Sequence, residues 1–306
     1  MTRREVLTAA VATATLEGAL PKRSILVHEH VMVDFVGAAK IGPGRYDPEE
    51  VFRAAKPKLE EIAKLGCVRL LECTPNFLGR DPRLMRRLSE ATGVEIWTNT
   101  GLYGARNFEH LPEYAKTETA EQLARRWVEE WRRGVDGEKP RFIKIGVNRG
   151  PLHEWDRKLV AAAGIASKET GLTIAVHTGD GRAALDEMEI LAGQGLKLEK
   201  WVWVHAQNER DPAVHERVAR AGGWVEFDGI NARGREWHLQ CVRNMAAKGL
   251  LGRVLISQDS GWYRVGEPGG GQYNGYSYLY TDFLPQLEAG WVERLMWENP
   301  RKAFGR

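Results

Sequence analysis

A chain of 306 residues is longer than most single-core domains but within the range of α/β barrels that fold as one unit. Its 44 Lys and Arg stand against 41 Asp and Glu, a net charge of +3 scattered without a basic arm or stripe, which argues against a nucleic-acid partner. Three widely spaced cysteines, Cys67, Cys73 and Cys241, argue against a disulfide framework, and no apolar run approaches the ~20 residues that span a bilayer, so a soluble protein is expected.

The chain opens with MTRREVLTAAVATATL, where Arg3 and Arg4 precede a modest apolar run and the small residues Ala12-Thr13-Ala14. Two readings are open: a twin-arginine export signal, or a helix packed on the body of the protein. Residues 1–24 are therefore read as an extension and residues 25–306 as one domain. An exported or periplasmic protein follows from the first reading and a cytoplasmic one from the second.

Beyond it, short β-branched runs alternate with amphipathic stretches, the pattern of parallel strands joined by helical crossovers. Eight strands are expected: ILVHEH (25–30), CVRLLEC (67–73), VEIWTN (94–99), RFIKIGV (141–147), LTIAVH (172–177), WVWVHA (201–206), GWVEFD (223–228) and RVLISQD (253–259). Helix-like segments such as PEEVFRAAKPKLEEIAKLG and TAEQLARRWVEEWRRG lie between them and end in glycine, as helix C-termini prefer. Eight such units make a closed (β/α)8 TIM barrel of one domain. The stretch from 260 to 280, SGWYRVGEPGGGQYNGYSYLY, reads as the longest irregular piece, a mobile lid or binding loop.

The first strand is unusual. Side chains of a strand alternate between faces, which puts Leu26, His28, His30 and Met32 on one side and Val27, Glu29 and Val31 on the other. Two imidazoles so placed gain most from a shared cation. Lys144 lies in FIKIGV on the fourth strand, His177 closes the fifth, His205 ends the sixth and Asp259 ends the eighth. All lie at or near the C-terminal ends of strands, where barrel enzymes keep their chemistry. Singly, each has an ordinary alternative: a hydrogen-bonded rim histidine, an ion pair between Lys144 and an acid such as Asp259, a helix cap. Unrelated structural causes would have to act on five strands at once to produce the whole set. One point resists it, since strict alternation would turn Trp201 and Trp203 inward together with His205.

HEH, IKIG, VHTGDG, VHAQNE and ISQDSG together resemble the phosphotriesterase-like branch of the amidohydrolase superfamily, from Ile25 to the closing ENPRKAFGR. The resemblance implies a binuclear metal centre in which His28, His30 and Asp259 hold a buried ion, His177 and His205 a more exposed one, and carbamylated Lys144 bridges them. It also implies a homodimer, although the region before the first strand departs from the family, whose members often open with a β-hairpin. Two divalent ions sharing a bridging water supply hydroxide near neutral pH, with Asp259 accepting its proton. Mixed nitrogen and oxygen donors favour zinc, and manganese, cobalt or iron also fit.

The expected activity is hydrolysis of a small-molecule lactone or other carboxylic ester, with side activity on phosphotriesters. The same site acting on an amide or phosphoester is the alternative, and a non-catalytic ligand-binding barrel is the alternative of another class. Tyr103 stands where lactone-hydrolysing relatives carry a tyrosine beside the metals, or else packs in its loop. Trp262, Tyr263, Tyr273 and Tyr276 make the loop after the eighth strand aromatic and suited to a partly apolar substrate. Arg233 and Arg235 are candidates for an anionic substituent or for plain solvent exposure.

Overall fold

The computed structural model describes residues 20–305. The export-signal reading rests on residues before Leu20 and lies outside the described residues.

All eight expected strands form. They are β1 (Ser24–Val33), β2 (Cys67–Glu72), a third strand interrupted at Thr98 as β3 (Glu95–Trp97) and β4 (Asn99–Thr100), then β5 (Phe142–Gly146), β6 (Ile174–His177), β7 (Trp201–Val204), β8 (Trp224–Phe227) and β9 (Val254–Ile256). Every ladder is parallel. Two seams remain, and side-chain or extended-backbone bonds cross both. Asn99 Nδ2 donates to Glu72 O at 2.9 Å and Thr74 O at 3.1 Å, tying β4 back to β2. Beyond β9, Asp259 N donates to His28 O at 3.1 Å, which brings the last strand against the first and completes a (β/α)8 barrel.

The crossovers are helices with local start and stop signals. Asp47 and Asp81 cap α1 (Pro48–Lys64) and α2 (Pro82–Thr92), each with proline in its first turn, and α2 stops at Gly93 with φ 75°. After α3 (Glu113–Thr117), Thr119 and Gln122 form a reciprocal capping box on α4 (Ala120–Arg133). Then come α5 (Glu154–Thr170), α6 (Gly181–Gly193), α7 (Pro212–Arg220) and α8 (Arg235–Ala247).

Two apolar layers follow from strand alternation. Val27, Leu71, Phe142, Val202, Val204 and Leu255 fill the barrel, while a larger cluster lies between strands and helices. Trp201 and Trp203 belong to the outer layer: Trp201 Nε1 donates to Glu187 Oε2 on α6 at 3.0 Å, and Trp203 packs 5.3 Å from His215 on α7. The expectation that they turn inward with His205 is thus corrected. The strand ends at Val204, and His205 takes a left-handed φ of 63°, which reverses the side-chain direction at that point.

The alternation read for β1 needs a similar correction. A register shift between Leu26 and Glu29 sets an extra residue in β1 against β2. Ile25 and Val27 therefore fill the barrel and Leu26 packs outward, while His28 begins a new inward phase. The stretch after the eighth strand is not irregular throughout either. Its GWYR forms β10 (Gly261–Arg264), parallel to β1 with His30 opposite Gly261 and Met32 opposite Tyr263.

Candidate metal centre

His28 and His30 enter the barrel mouth from β1 with rings 5.5 Å apart. Asp259 comes from three residues past β9, with φ 50°, and its Oδ1 lies 3.1 Å from His30 Nε2 and 3.7 Å from His28 Nε2. His205 faces His28 at 5.2 Å between rings, and its Nε2 lies 2.7 Å from Nδ1 of half-buried His177. Lys144, inward on β5, is buried and forms no ion pair within 4.0 Å among the described residues. Its charge acts on His28, His30 and His177 alike. The four histidines, Lys144 and Asp259 thus meet at one rim, and the ion pair between Lys144 and Asp259 is absent.

Behind these side chains stands a set of oxygens that the sequence reading passed over. Glu226 Oε1 is 2.9 Å from His28 Nδ1, Asp228 Oδ1 is 2.5 Å from His205 Nδ1, and Thr74 Oγ1 is 2.8 Å from His30 Nδ1. Thr74 is itself bonded to Glu72 Oε1 at 2.5 Å. Gln207 Nε2 donates to Asp228 Oδ1 at 3.0 Å, which gives VHAQNE its glutamine. The signal was available. Alternation in WVEFD sends Trp224, Glu226 and Asp228 inward, by the rule that had singled out the histidines of β1.

This arrangement fixes ring orientation. Two sets of donor atoms fall within 4.8 Å of one another, His28, His30 and Asp259, and His28, His205 and Asp228. Because the Nδ1 atoms of His28 and His205 already face Glu226 and Asp228, the second set is outer support and the Nε2 atoms are the ones left for an ion. Asp259 Oδ1 is buried 3.1 Å from His30 Nε2 and has no hydrogen-bond partner of good geometry among the described residues. An orphaned acceptor beside converging imidazole nitrogens fits a cation.

The charges agree with a site built for positive charge. Burial and the charge of Lys144 oppose protonation of His28, yet Asp228, Asp259 and Glu226 outweigh them and raise it to about 10. Burial lowers His30 to about 4 against the pull of Asp259. Burial, His205 and Lys144 hold His177 well below the usual imidazole range. Although burial opposes ionisation of Asp259 and Asp228, neighbouring histidines hold both below the usual carboxylate range. Glu226 is raised, chiefly by burial.

Of the expected substrate contacts, two reach the centre. Tyr103 OH is 3.2 Å from His177 Nε2, and Trp262 packs 4.6 Å from His30 while its Nε1 donates to Asp259 O at 2.7 Å. Tyr263 does not: alternation in β10 turns it away, and its hydroxyl donates to Glu50 on α1 at 2.8 Å. Tyr276 is buried with its hydroxyl on His30 O at 2.8 Å and supports the backbone of β1. Arg233 is exposed, its backbone N–H bonded to Asn231 Oδ1 at 2.9 Å, and Arg235 pairs with Glu236.

The chain is 26% identical over 295 residues to the phosphotriesterase homology protein of Escherichia coli, covering 93% of this chain and 98% of that one. It is 26% identical to the human N-acetyltaurine hydrolase, covering 81% and 76%, and 26% identical to the aryldialkylphosphatase of Saccharolobus solfataricus, covering 66% and 65%. The organophosphorus hydrolase of Deinococcus radiodurans shares the fold, with a TM-score of 0.80, 24% identity and 94% of each chain covered. The phosphotriesterase family model matches residues 11–304, so the chain belongs to the phosphotriesterase family.

Proposed function

We propose that this protein is a binuclear metal-dependent hydrolase of lactones or other carboxylic esters, with side activity on phosphotriesters. The observation that carries the reading is the convergence of His28, His30, Lys144, His177, His205 and Asp259 at one barrel mouth, with the second nitrogens of three imidazoles held by oxygens. His28, His30 and Asp259 would hold one ion, His177 and His205 the other. Lys144 would bridge them as a carbamate: its neutral amine adds carbon dioxide and loses a proton, so a buried cation becomes an anion. Ions bound there, zinc by preference with manganese, cobalt or iron also suited, supply Lewis acidity that activates water and polarises the substrate.

The chain's own groups do the rest. Asp259, facing the centre beside His30, takes the proton of the attacking water while remaining a ligand. Tyr103 offers its hydroxyl to the substrate oxygen beside His177, in the place where a tyrosine accompanies lactone chemistry. Trp262 covers His30 and gives the small-molecule substrate an apolar wall.

An amide substrate is the second reading, favoured by the likeness to N-acetyltaurine hydrolases, because the same centre attacks either carbonyl. Assay of the metal-loaded protein against lactones, aryl esters, N-acyl amino acids and organophosphates decides between them. Turnover of esters or lactones ahead of the others supports the first reading, and preference for N-acyl amino acids replaces it with the second. Activity on none, with turnover equally absent in Lys144→Ala, leaves a non-catalytic barrel.

A further inference from the structure

A row of stacked side chains leads outward from the centre. Trp262 packs on His30 at 4.6 Å, Phe35 stacks on Trp262 at 5.7 Å with rings 26° apart, and the guanidinium of Arg106 lies 4.6 Å over the ring of Phe35. Arg106 is exposed and, among the described residues, forms no ion pair within 4.0 Å. Two neighbouring arginines are committed instead, Arg45 to Asp34 and Arg80 to Glu130. The charge of Arg106 nevertheless reaches the hydroxyl of Tyr103 and the ring of His110.

The loop presenting Arg106 is costly to form. Arg106, Asn107 and Phe108 have φ of 58°, 55° and 64°, three successive non-glycine residues in the left-handed region, where a side chain crowds its own backbone. Asn148 holds this turn, accepting from Asn107 N at 2.9 Å and donating to Gly104 O at 2.9 Å. In the same loop His110 is buried between Phe35 and Tyr103, at 5.7 and 6.0 Å, and neither ring nitrogen has a hydrogen-bond partner among the described residues. Packing alone favours neither the strained turn nor an unpartnered buried imidazole. Both are what a loop shaped for a ligand displays.

Resting on the hydrolase reading above, we propose that Arg106 selects substrates with an anionic substituent. The scissile group sits against His30, His177 and Asp259, the middle of the molecule lies along Trp262 and Phe35, and a carboxylate or sulfonate at the far end meets the guanidinium. A cation resting on an aromatic face keeps its N–H donors free for an anion, and arginine presents them as a fork that matches a carboxylate. The substrate class is thus an acyl compound bearing a remote anion.

The test uses the metal-loaded protein with para-acetoxybenzoate and its neutral methyl ester, which share the same acetyl ester. Wild type is expected to prefer the charged ester. Arg106→Gln lowers the ratio of kcat/KM for charged over neutral ester by about five-fold, the scale of a partly exposed ion pair, and does so through KM. Arg106→Lys keeps part of the preference because it keeps the charge. An unchanged ratio in Arg106→Gln, an equal fall for both esters, or Arg106→Lys behaving as Arg106→Gln overturns the proposal. Calorimetric titration with para-hydroxybenzoate, the product, reads the same residue without turnover: about five-fold weaker binding in Arg106→Gln supports it, and equal binding overturns it. If neither ester is hydrolysed, the ester reading of the centre fails while the titration still decides on Arg106.

Discussion

A side chain on Gly146 would collide with Tyr103: an ideal Cβ there stands 2.5 Å from Tyr103 Cδ2 and 2.7 Å from Cε2. Gly146 lies on β5 outside the left-handed region, so it is a glycine for space and not for backbone freedom. The two residues also pair as a parallel bridge, which seats the tyrosine ring on the strand that carries Lys144. Gly146→Ala is expected to push the hydroxyl of Tyr103 off His177 and to lower kcat/KM at least tenfold, about 1.4 kcal/mol of lost transition-state stabilisation. Tyr103→Phe should lose as much, and the double variant little more than either alone. Full additivity in that cycle would show that the glycine does not act through the tyrosine.

The second nitrogen of His205 gives another prediction. Asp228 Oδ1 accepts from His205 Nδ1 at 2.5 Å and Oδ2 from the His205 backbone N–H at 2.9 Å, so one carboxylate holds both the ring and the left-handed turn beneath it. Asn in its place has only one acceptor oxygen. Asp228→Asn is expected to weaken metal binding by about ten- to a hundred-fold. Metal content after dialysis against graded chelator measures this, and retention equal to wild type would count against the role given to Asp228.

Lys144 is the sharpest test of the centre itself. Lys144→Ala should reduce the metal content from about two ions per chain toward one or none, and lower turnover more than a hundred-fold, since the bridging ligand is gone. Reconstitution of the wild-type apoprotein should speed up with added bicarbonate, because the carbamate needs carbon dioxide. Turnover unchanged in Lys144→Ala would end the enzymatic reading.

What the sequence disclosed and what it hid have separate physical causes. Periodicity located the strands because most of them are buried on both faces, and the polar residues at their ends stood out against apolar runs. Where a backbone departs from the regular strand, periodicity misleads. The bulge between Leu26 and Glu29 changes the phase of β1, and the left-handed φ of His205 lets it face the barrel while Trp201 and Trp203 face helices. Neither departure has a glycine to announce it. Glu226 and Asp228 were legible by alternation yet carried no motif, and Tyr263 was misplaced because β10 could not be told from loop in a glycine-rich stretch.

A buried acid outside the centre yields a prediction on stability. Glu187 on α6 lies 2.9 Å from Thr178 Oγ1 and accepts from Trp201 Nε1 at 3.0 Å. Thr178 Oγ1 is also 2.9 Å from Val176 O. The hydroxyl has one hydrogen, so both contacts of Thr178 are satisfied only when Glu187 is protonated and donates to it. Burial agrees, raising the Glu187 carboxyl well above its ordinary range. A carboxyl whose folded pKa is raised binds its proton more tightly in the folded state. Its contribution is therefore fully present below the unfolded pKa, near 4.5, and is lost as pH rises from there toward the folded value. Glu187→Gln keeps a donor and an acceptor without a titrating proton. Denaturant unfolding across that range should show the wild type losing stability with rising pH more steeply than Glu187→Gln. Parallel pH profiles for the two proteins would mean that Glu187 is ionised in the folded state and that Thr178 spends its hydrogen on the carboxylate instead.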